Sequence, residues 1–195
     1  TIDDAINVLQ DEVAEDFEKM AAMTPNEEGY FQTSVFKHAK NRIVWLLVLM
    51  LSAAFTGTII AEYEEAFAAV PLLVSFIPMI MGTGGNCGSQ SSTLIIRGLA
   101  TDELELKDVF KIFWKEIRIA VVVGITLTIV NGLRIFVQYK NLQLAITVGL
   151  SITVTVILSK SIGCLLPLLA KKLKLDPAIM AAPLITTIVD ILSIC

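Results

Sequence analysis

The sequence predicts an all-α integral membrane protein, with five transmembrane helices preceded by one amphipathic cytosolic helix. Two quantities and one pattern carry that expectation. Of 195 residues, 55% are hydrophobic and only 17% charged, against about 25% charged in an ordinary soluble domain. Mean hydropathy is +0.74. The apolar residues gather in long uncharged runs, as bilayer crossing requires.

Residues 1–41 read as a cytosolic acidic helix and linker. Ile2, Ile6, Leu9, Val13, Phe17 and Met20 recur at helical steps from Thr1 to about Met23, while Asp3, Asp4, Asp11, Glu12, Glu15, Asp16 and Glu18 occupy the other faces. Such a helix is too charged to span a bilayer. It either packs on a neighbour or serves as a solvated linker, and Thr24-Pro25-Asn26 ends it.

Residues 42–195 read as the membrane domain. The first span, 43–61, holds 19 residues without a charge, near the ~20 that cross a hydrocarbon core. Residues 66–96 are also uncharged, which places a long second span at 69–97, bent at Pro71 and Pro78. A third covers 112–137, with Trp114 near one end and Arg134 near the other. A fourth covers 141–170 and is interrupted by Lys160. The fifth, 177–195, is still apolar at Cys195. The absence of a basic leader argues against a signal peptide, and Thr1 in place of Met suggests a piece of a longer chain.

Loop charges orient these spans. Lys37, Lys40 and Arg42 precede the first. Arg97, Lys107, Lys111, Lys115 and Arg118 surround the second loop, and Lys171, Lys172 and Lys174 fill the fourth. All fall on one side if the spans alternate, so the N-terminus is expected in the cytoplasm and the C-terminus outside. Cys87, Cys164 and Cys195 lack metal-site or redox spacing and read as small buried residues. His38 reads as an interfacial residue beside Lys37 and Lys40. No basic stripe interleaved with aromatics suggests nucleic acid. The absence of a nucleophile–base pair in the membrane portion argues against an enzyme.

The segment 81–93, Met-Gly-Thr-Gly-Gly-Asn-Cys-Gly-Ser-Gln-Ser-Ser-Thr, is unusual at membrane depth. Gly84 and Gly88 form a GxxxG step, which suits a close helix contact. Gly84, Gly85 and Gly88 equally suit close approach to an ion or a partner helix. Thr83, Asn86, Ser89, Gln90, Ser91, Ser92 and Thr93 exceed what packing needs; they are neutral oxygen donors suited to a hydrated hard cation. No Lys-Ser/Thr follows the glycines, so this is not a phosphate loop. Asp190, an isolated carboxylate inside the fifth span, is a functional candidate by default. It could instead pair with Lys160 or reach water at a helix end. Lys160 is expected to pair with a carboxylate or to snorkel. Thiolate and imidazole ligands for softer metals are missing from this set.

Pro78-x-x-x-Gly-Thr-Gly-Gly-Asn-x-Gly-x-Gln-Ser with Thr93-Leu-Ile-Ile-Arg97-Gly-Leu-Ala-Thr101, and Asp176-Pro177-Ala178 with Pro183-Leu-x-Thr-Thr-x-x-Asp190, resemble the signature of the MgtE family of magnesium channels. The likeness runs from about Asp3 to the end, and residues 4–23 are similar to the tail of that family's CBS module and its plug helix. The resemblance implies a homodimeric, Mg2+-selective channel of five helices per subunit in the cell membrane. Its pore would follow the dimer interface, lined by the second and fifth spans. Asp190 would hold the pore ion, aided by Asn86, Gly85, Thr186 and Ala182, the last offering only its backbone carbonyl. Regulatory Mg2+ would bridge Asp4, Glu12, Glu15 and Asp16 of the plug helix to Asp176 before the fifth span. Upstream N and CBS domains are expected in the full-length protein. Lys160 departs from the small or polar residue expected there. The alternative is a secondary divalent-cation exchanger that uses intramembrane Asp190.

Overall fold

The computed structural model describes residues 2–26, 28–180 and 182–195, apart from the side chains of Ala5, Ala66, Phe67, Ala69, Met180 and Ala182. Among the described residues every regular element is helical.

Helix α1 (Ile2–Met20) stops before the expected proline. Ala22 adopts a left-handed φ of 54°, and the Met23 N–H reaches back to the Glu18 carbonyl at 2.9 Å, which closes the helix as a Schellman turn. Helix α2 (Val35–Glu62) begins at Ser34, whose hydroxyl accepts from the Lys37 N–H at 3.3 Å. The second span does not run unbroken from 69 to 97. After α3 (Glu64–Ala69), Pro71 opens a 3₁₀ turn (Pro71–Phe76), and α4 (Ile77–Ala100) starts with Pro78 in its first turn. A proline there sacrifices an N–H that has no intrahelical acceptor anyway. Helix α5 (Val109–Tyr139) and helix α6 (Leu142–Lys172) form a hairpin through Lys140 and Asn141. Asn141 accepts from the Leu144 N–H at 3.0 Å and so caps α6. The fifth span is likewise broken: a 3₁₀ turn (Pro177–Met180) precedes α7 (Ala182–Ile194). Pro183 accounts for this, because it fits a first turn and not a helix interior.

Helix α6 is the centre of the bundle, packed on α5, α4 and α7, while α4 and α7 also pack on each other. The larger core cluster joins Phe76 and Cys87 to Ala120 and Ile135 of α5 and to Val148, Ile152 and Val156 of α6. A second cluster, Ile95, Leu99, Ile112, Cys164 and Leu168, fills the other end. Cys87 and Cys164 are buried free thiols, as expected; Cys195 is exposed. Thr128 donates to the Gly149 carbonyl at 2.6 Å and meets the Thr153 hydroxyl at 2.7 Å, so a small residue lets α5 and α6 approach closely.

Among the described residues, three helices are long and apolar enough to cross a membrane: Val35–Glu62, Leu106–Tyr139 and Leu142–Lys172. Pro183–Ile194 is a shorter apolar helix. Helix α4 is long enough, but its glycines and polar residues dilute its apolar content. Helix α2 lies outside the bundle and packs on α7. Among its described residues only Thr56 is buried, and Leu46, Leu47, Met50, Leu51 and Phe55 are exposed.

Candidate functional site

Successive residues of an α-helix step by about 100°, so the polar run on α4 divides among several faces. Gly84, Gly88 and Ser91 share one buried face. A Cβ on Gly84 would lie 2.7 Å from the Thr155 and Val189 methyls, and one on Gly88 would lie 2.7 Å from Ile185 Cγ2. A Cβ on Gly163 would run into the Gly88 carbonyl. The GxxxG step is therefore a packing seam between α4 and its own neighbours α6 and α7. Gly85 points elsewhere: its Cβ would lie 2.9 Å from Thr186 Cγ2 of α7. Asn86, Gln90, Thr93 and Arg97 form a third face, and all four are exposed.

Asp190 lies one helical turn beyond Thr186. It faces a cleft of about 460 Å3 between α7 and α2, lined by Pro183, Thr186, Thr187 and Asp190 on one wall and by Leu49, Ser52, Ala53 and Thr56 on the other. Asp190 is the one charged residue in that lining. Thr186 Oγ1 donates to the Pro183 carbonyl at 2.9 Å. Of the expected pore residues, Gly85 and Thr186 are thus in contact and Thr186 and Asp190 share a cleft wall, with Asn86 exposed beside Gly85. The side chain of Ala182 is outside the described residues.

Lys160 is not the partner of Asp190. It is buried at the α4–α5–α6 crossing, where Nζ donates to Ser91 Oγ at 3.1 Å and lies 3.6 Å from Glu116 Oε2. Ser91 in turn donates to Glu116 Oε2 at 2.6 Å. Lys160 and Glu116 are only 5% and 6% exposed, so each charge depends on the other. Lys160 therefore pairs with a carboxylate and does not snorkel. Sequence reasoning missed Glu116, which stands between the loop-side cations Lys115 and Arg118. Its spacing from Ile112, Ala120 and Gly124, all buried, was the available signal. Ser52 and Thr56 were also missed, because hydroxyls inside an apolar run carry little signal by themselves.

At the other end, the last turn of α1 docks on the Pro177–Met180 turn. Lys19 Nζ bridges Asp176 Oδ2 and Glu15 Oε1, each at 2.6 Å. The hydrogen bonds that Lys19 donates, to Asp176 first and then to Glu15, raise its ammonium above its ordinary value. Burial alone would raise the Asp176 carboxyl, but Lys19 and the Ala178 N–H hold it below 3.8. Burial first, and then the Asp176 charge, raise Asp16. Asp16, Lys171 and Asp176 line a cavity of about 150 Å3. Glu15 and Asp16 thus come close to Asp176, whereas Asp4 and Glu12 are exposed further along α1. No group of three or more His, Cys, Asp or Glu side chains that could hold a metal ion occurs among the described residues. His38 Nε2 lies 3.0 Å from the Tyr30 carbonyl, outside all of these sites.

The profile of the MgtE family, described as a divalent cation transporter, matches residues 77–195. Over 194 residues the chain is 35% identical to the magnesium transporter MgtE of Bacillus subtilis, covering 100% of this chain and 43% of that protein. It is 34% identical over 191 residues to the magnesium transporter MgtE of Thermus thermophilus, covering 98% of this chain and 42% of that one. The same-named protein of Enterococcus faecalis is 31% identical over 198 residues, covering 100% of this chain and 42% of that one. The chain therefore spans less than half the length of these curated relatives.

Proposed function

The chain belongs to the MgtE family, and from that premise we propose that it is the membrane part of a Mg2+-selective channel that admits Mg2+ to the cytosol through a pore at a homodimer interface. In this reading α2, α4, α5, α6 and α7 are the five spans of a membrane domain at 42–195. Residues 1–41 are cytosolic, the C-terminus is outside, and N and CBS domains precede the chain in the full-length protein. The chain is not an enzyme.

The observation that carries the reading is the neighbourhood of Asp190. A single carboxylate faces a cleft wall of hydroxyls, next to a helix whose Asn86, Gln90 and Thr93 are exposed. Polar side chains at membrane depth are tolerated where they line water or meet protein. Mg2+ sheds its water shell reluctantly, so one carboxylate with Asn86, Thr186 and backbone oxygens of Gly85 and Ala182 would hold it through that shell. Asp190→Asn in the full-length protein in liposomes should abolish Mg2+ flux; undiminished flux with unchanged selectivity overturns the reading. An exchanger that relays between Asp190 and Lys160 gains no support, because Lys160 is engaged by Glu116.

Regulation is proposed at the α1 contact. Cytosolic Mg2+ would draw the acidic face of α1, through Asp4, Glu12, Glu15 and Asp16, towards Asp176 and hold the pore closed. Lys19 already neutralises part of that repulsion, so the ion would add to a docked helix. Replacing Glu15 and Asp16 with Ala should raise the cytosolic Mg2+ needed to halve open probability in patch recordings. An unchanged midpoint refutes the clamp.

A further inference from the structure

We propose that α2 supplies a second wall of the cation site, with Thr56 and Ser52 accepting hydrogen bonds from the water shell of the ion held at Asp190. The inference rests on the reading of Asp190 as the pore carboxylate and adds a helix to it.

Helix α2 is apolar and outward-facing along most of its length, with Leu51 67% exposed and Phe55 59% exposed. Its face towards α7 changes character at one level. There Ser52 and Thr56, one turn apart, stand across the cleft from Thr186, Thr187 and Asp190. Thr56 is the only buried residue among those described on α2. Thr58 of the same helix bonds its own backbone while exposed, so what sets Thr56 apart is its burial against α7 beside Asp190.

The hydrogen-bond directions give the wall its chemistry. Thr56 Oγ1 donates its proton to the Ser52 carbonyl at 3.1 Å, and Thr186 Oγ1 donates its own to the Pro183 carbonyl at 2.9 Å. Thr56 and Thr186 spend their protons on their own helices, which leaves both hydroxyls as acceptors for water in the cleft. A hydrated cation points only O–H donors outward, so two acceptor walls and a carboxylate match it. A dehydrated ion would need direct oxygen ligands on all sides, about six for Mg2+. Six waters occupy about 180 Å3 at about 30 Å3 each, and the cleft of about 460 Å3 admits them.

The test uses the full-length protein in liposomes with a fluorescent Mg2+ reporter. Thr56→Val keeps the shape and removes the hydroxyl; Thr56→Ser keeps the hydroxyl; Ser52→Ala and Asp190→Asn are run in parallel. The loss of one net hydrogen bond predicts a rise of about fivefold in half-saturating Mg2+ for Thr56→Val. Maximal flux should stay within about twofold, since the carboxylate remains, and Thr56→Ser should restore the wild-type value. If Asp190→Asn abolishes flux while Thr56→Val and Ser52→Ala both saturate like wild type, the α2 wall is wrong and the pore reading stands. If Asp190→Asn conducts normally, the site falls and the wall with it. A second measurement needs no transport. In a Cys195→Ser background, Ser52→Cys should react with a charged methanethiosulfonate and be protected by Mg2+, whereas Leu51→Cys should show no Mg2+ protection. Labelling of Ser52→Cys that ignores Mg2+ refutes the proposal.

Discussion

The Lys160–Glu116 pair offers a quantitative test of how this bundle is held together. Both charges are buried inside helices α6 and α5, bridged by the Ser91 hydroxyl of α4. A lone charge at the centre of a membrane helix costs about 2.5–3.5 kcal/mol on insertion scales. Removing one member of a buried pair leaves the other uncompensated, at about 3–5 kcal/mol. Lys160→Met is therefore expected to cost about 3 kcal/mol, a factor of about 150 in the folding equilibrium. Glu116→Gln should cost a similar amount, because it strands the ammonium. The double variant carries no charge and should recover about 2 kcal/mol relative to the sum of the singles. Ser91→Ala, which leaves the pair itself in place, should cost only about 1 kcal/mol. The assay is SDS-driven unfolding of the purified full-length protein in mixed micelles, read from α-helical circular dichroism. Additivity of the two single changes to within about 0.5 kcal/mol would show that the charges do not depend on each other, and the account of the crossing would be wrong.

Other expectations follow from the close contacts. Gly163→Ala drives a methyl into the Gly88 backbone carbonyl, which cannot rotate away, so monodisperse yield should collapse. Gly85→Leu meets the Thr186 side chain instead, so the protein should insert normally while Mg2+ flux falls at least about tenfold. Lys19→Met removes the bridge from Glu15 to Asp176, and spin labels on α1 and the loop before α7 should move apart at low Mg2+. The pH response of that distance has a definite sign. The Asp176 carboxyl is depressed below 3.8, so its contribution to docking persists above that value and fades as pH falls through its folded value. Asp16, raised by burial and by Asp176, works the other way, so Asp16→Asn should steepen the loss at acid pH while leaving the distance steady from about pH 5 to 8.

The sequence made the helices easier to read than their ends. Uncharged runs follow from the cost of charge in lipid, and each expected span has an α-helix within it. Breaks at Pro71 and Pro183 were harder, since a proline in an apolar run is compatible with a kink, a first turn or a full stop. What decides between them is the packing of neighbouring helices. The Gly-rich run shows a similar limit. As a string it looks like one motif, but the helical step separates Gly84 and Gly88, which pack, from Gly85, which meets Thr186, and from Asn86, which is exposed. Asp190 was legible because a lone carboxylate in an apolar segment has no cheap explanation. Glu116 is just as costly, but its basic neighbours made it look like part of a loop. Ser52 and Thr56 gain meaning only from what stands across the cleft.

For the proposed pore, a second copy of the chain would serve the electrostatics of a divalent ion better than one copy alone. At an effective dielectric constant of about 20, a divalent ion about 5 Å from one carboxylate gains about 7 kcal/mol. That attraction is set against the partial loss of bulk solvation on entering the membrane, which costs several kcal/mol for a singly charged ion even after relaxation and grows with the square of the charge. One Asp190 therefore falls short of the penalty, and in the proposed dimer two facing each other across a two-fold axis would come closer to meeting it. The proposed dimer would also give the exposed stripe of Asn86, Gln90 and Thr93 a place. Polar side chains at membrane depth need protein or water around them, and a two-fold axis along the stripe would supply both. Holding the ion through its water keeps the attraction moderate. A contact at about 2 Å, as in a dehydrated Mg2+ site, would bind far too tightly for rapid release.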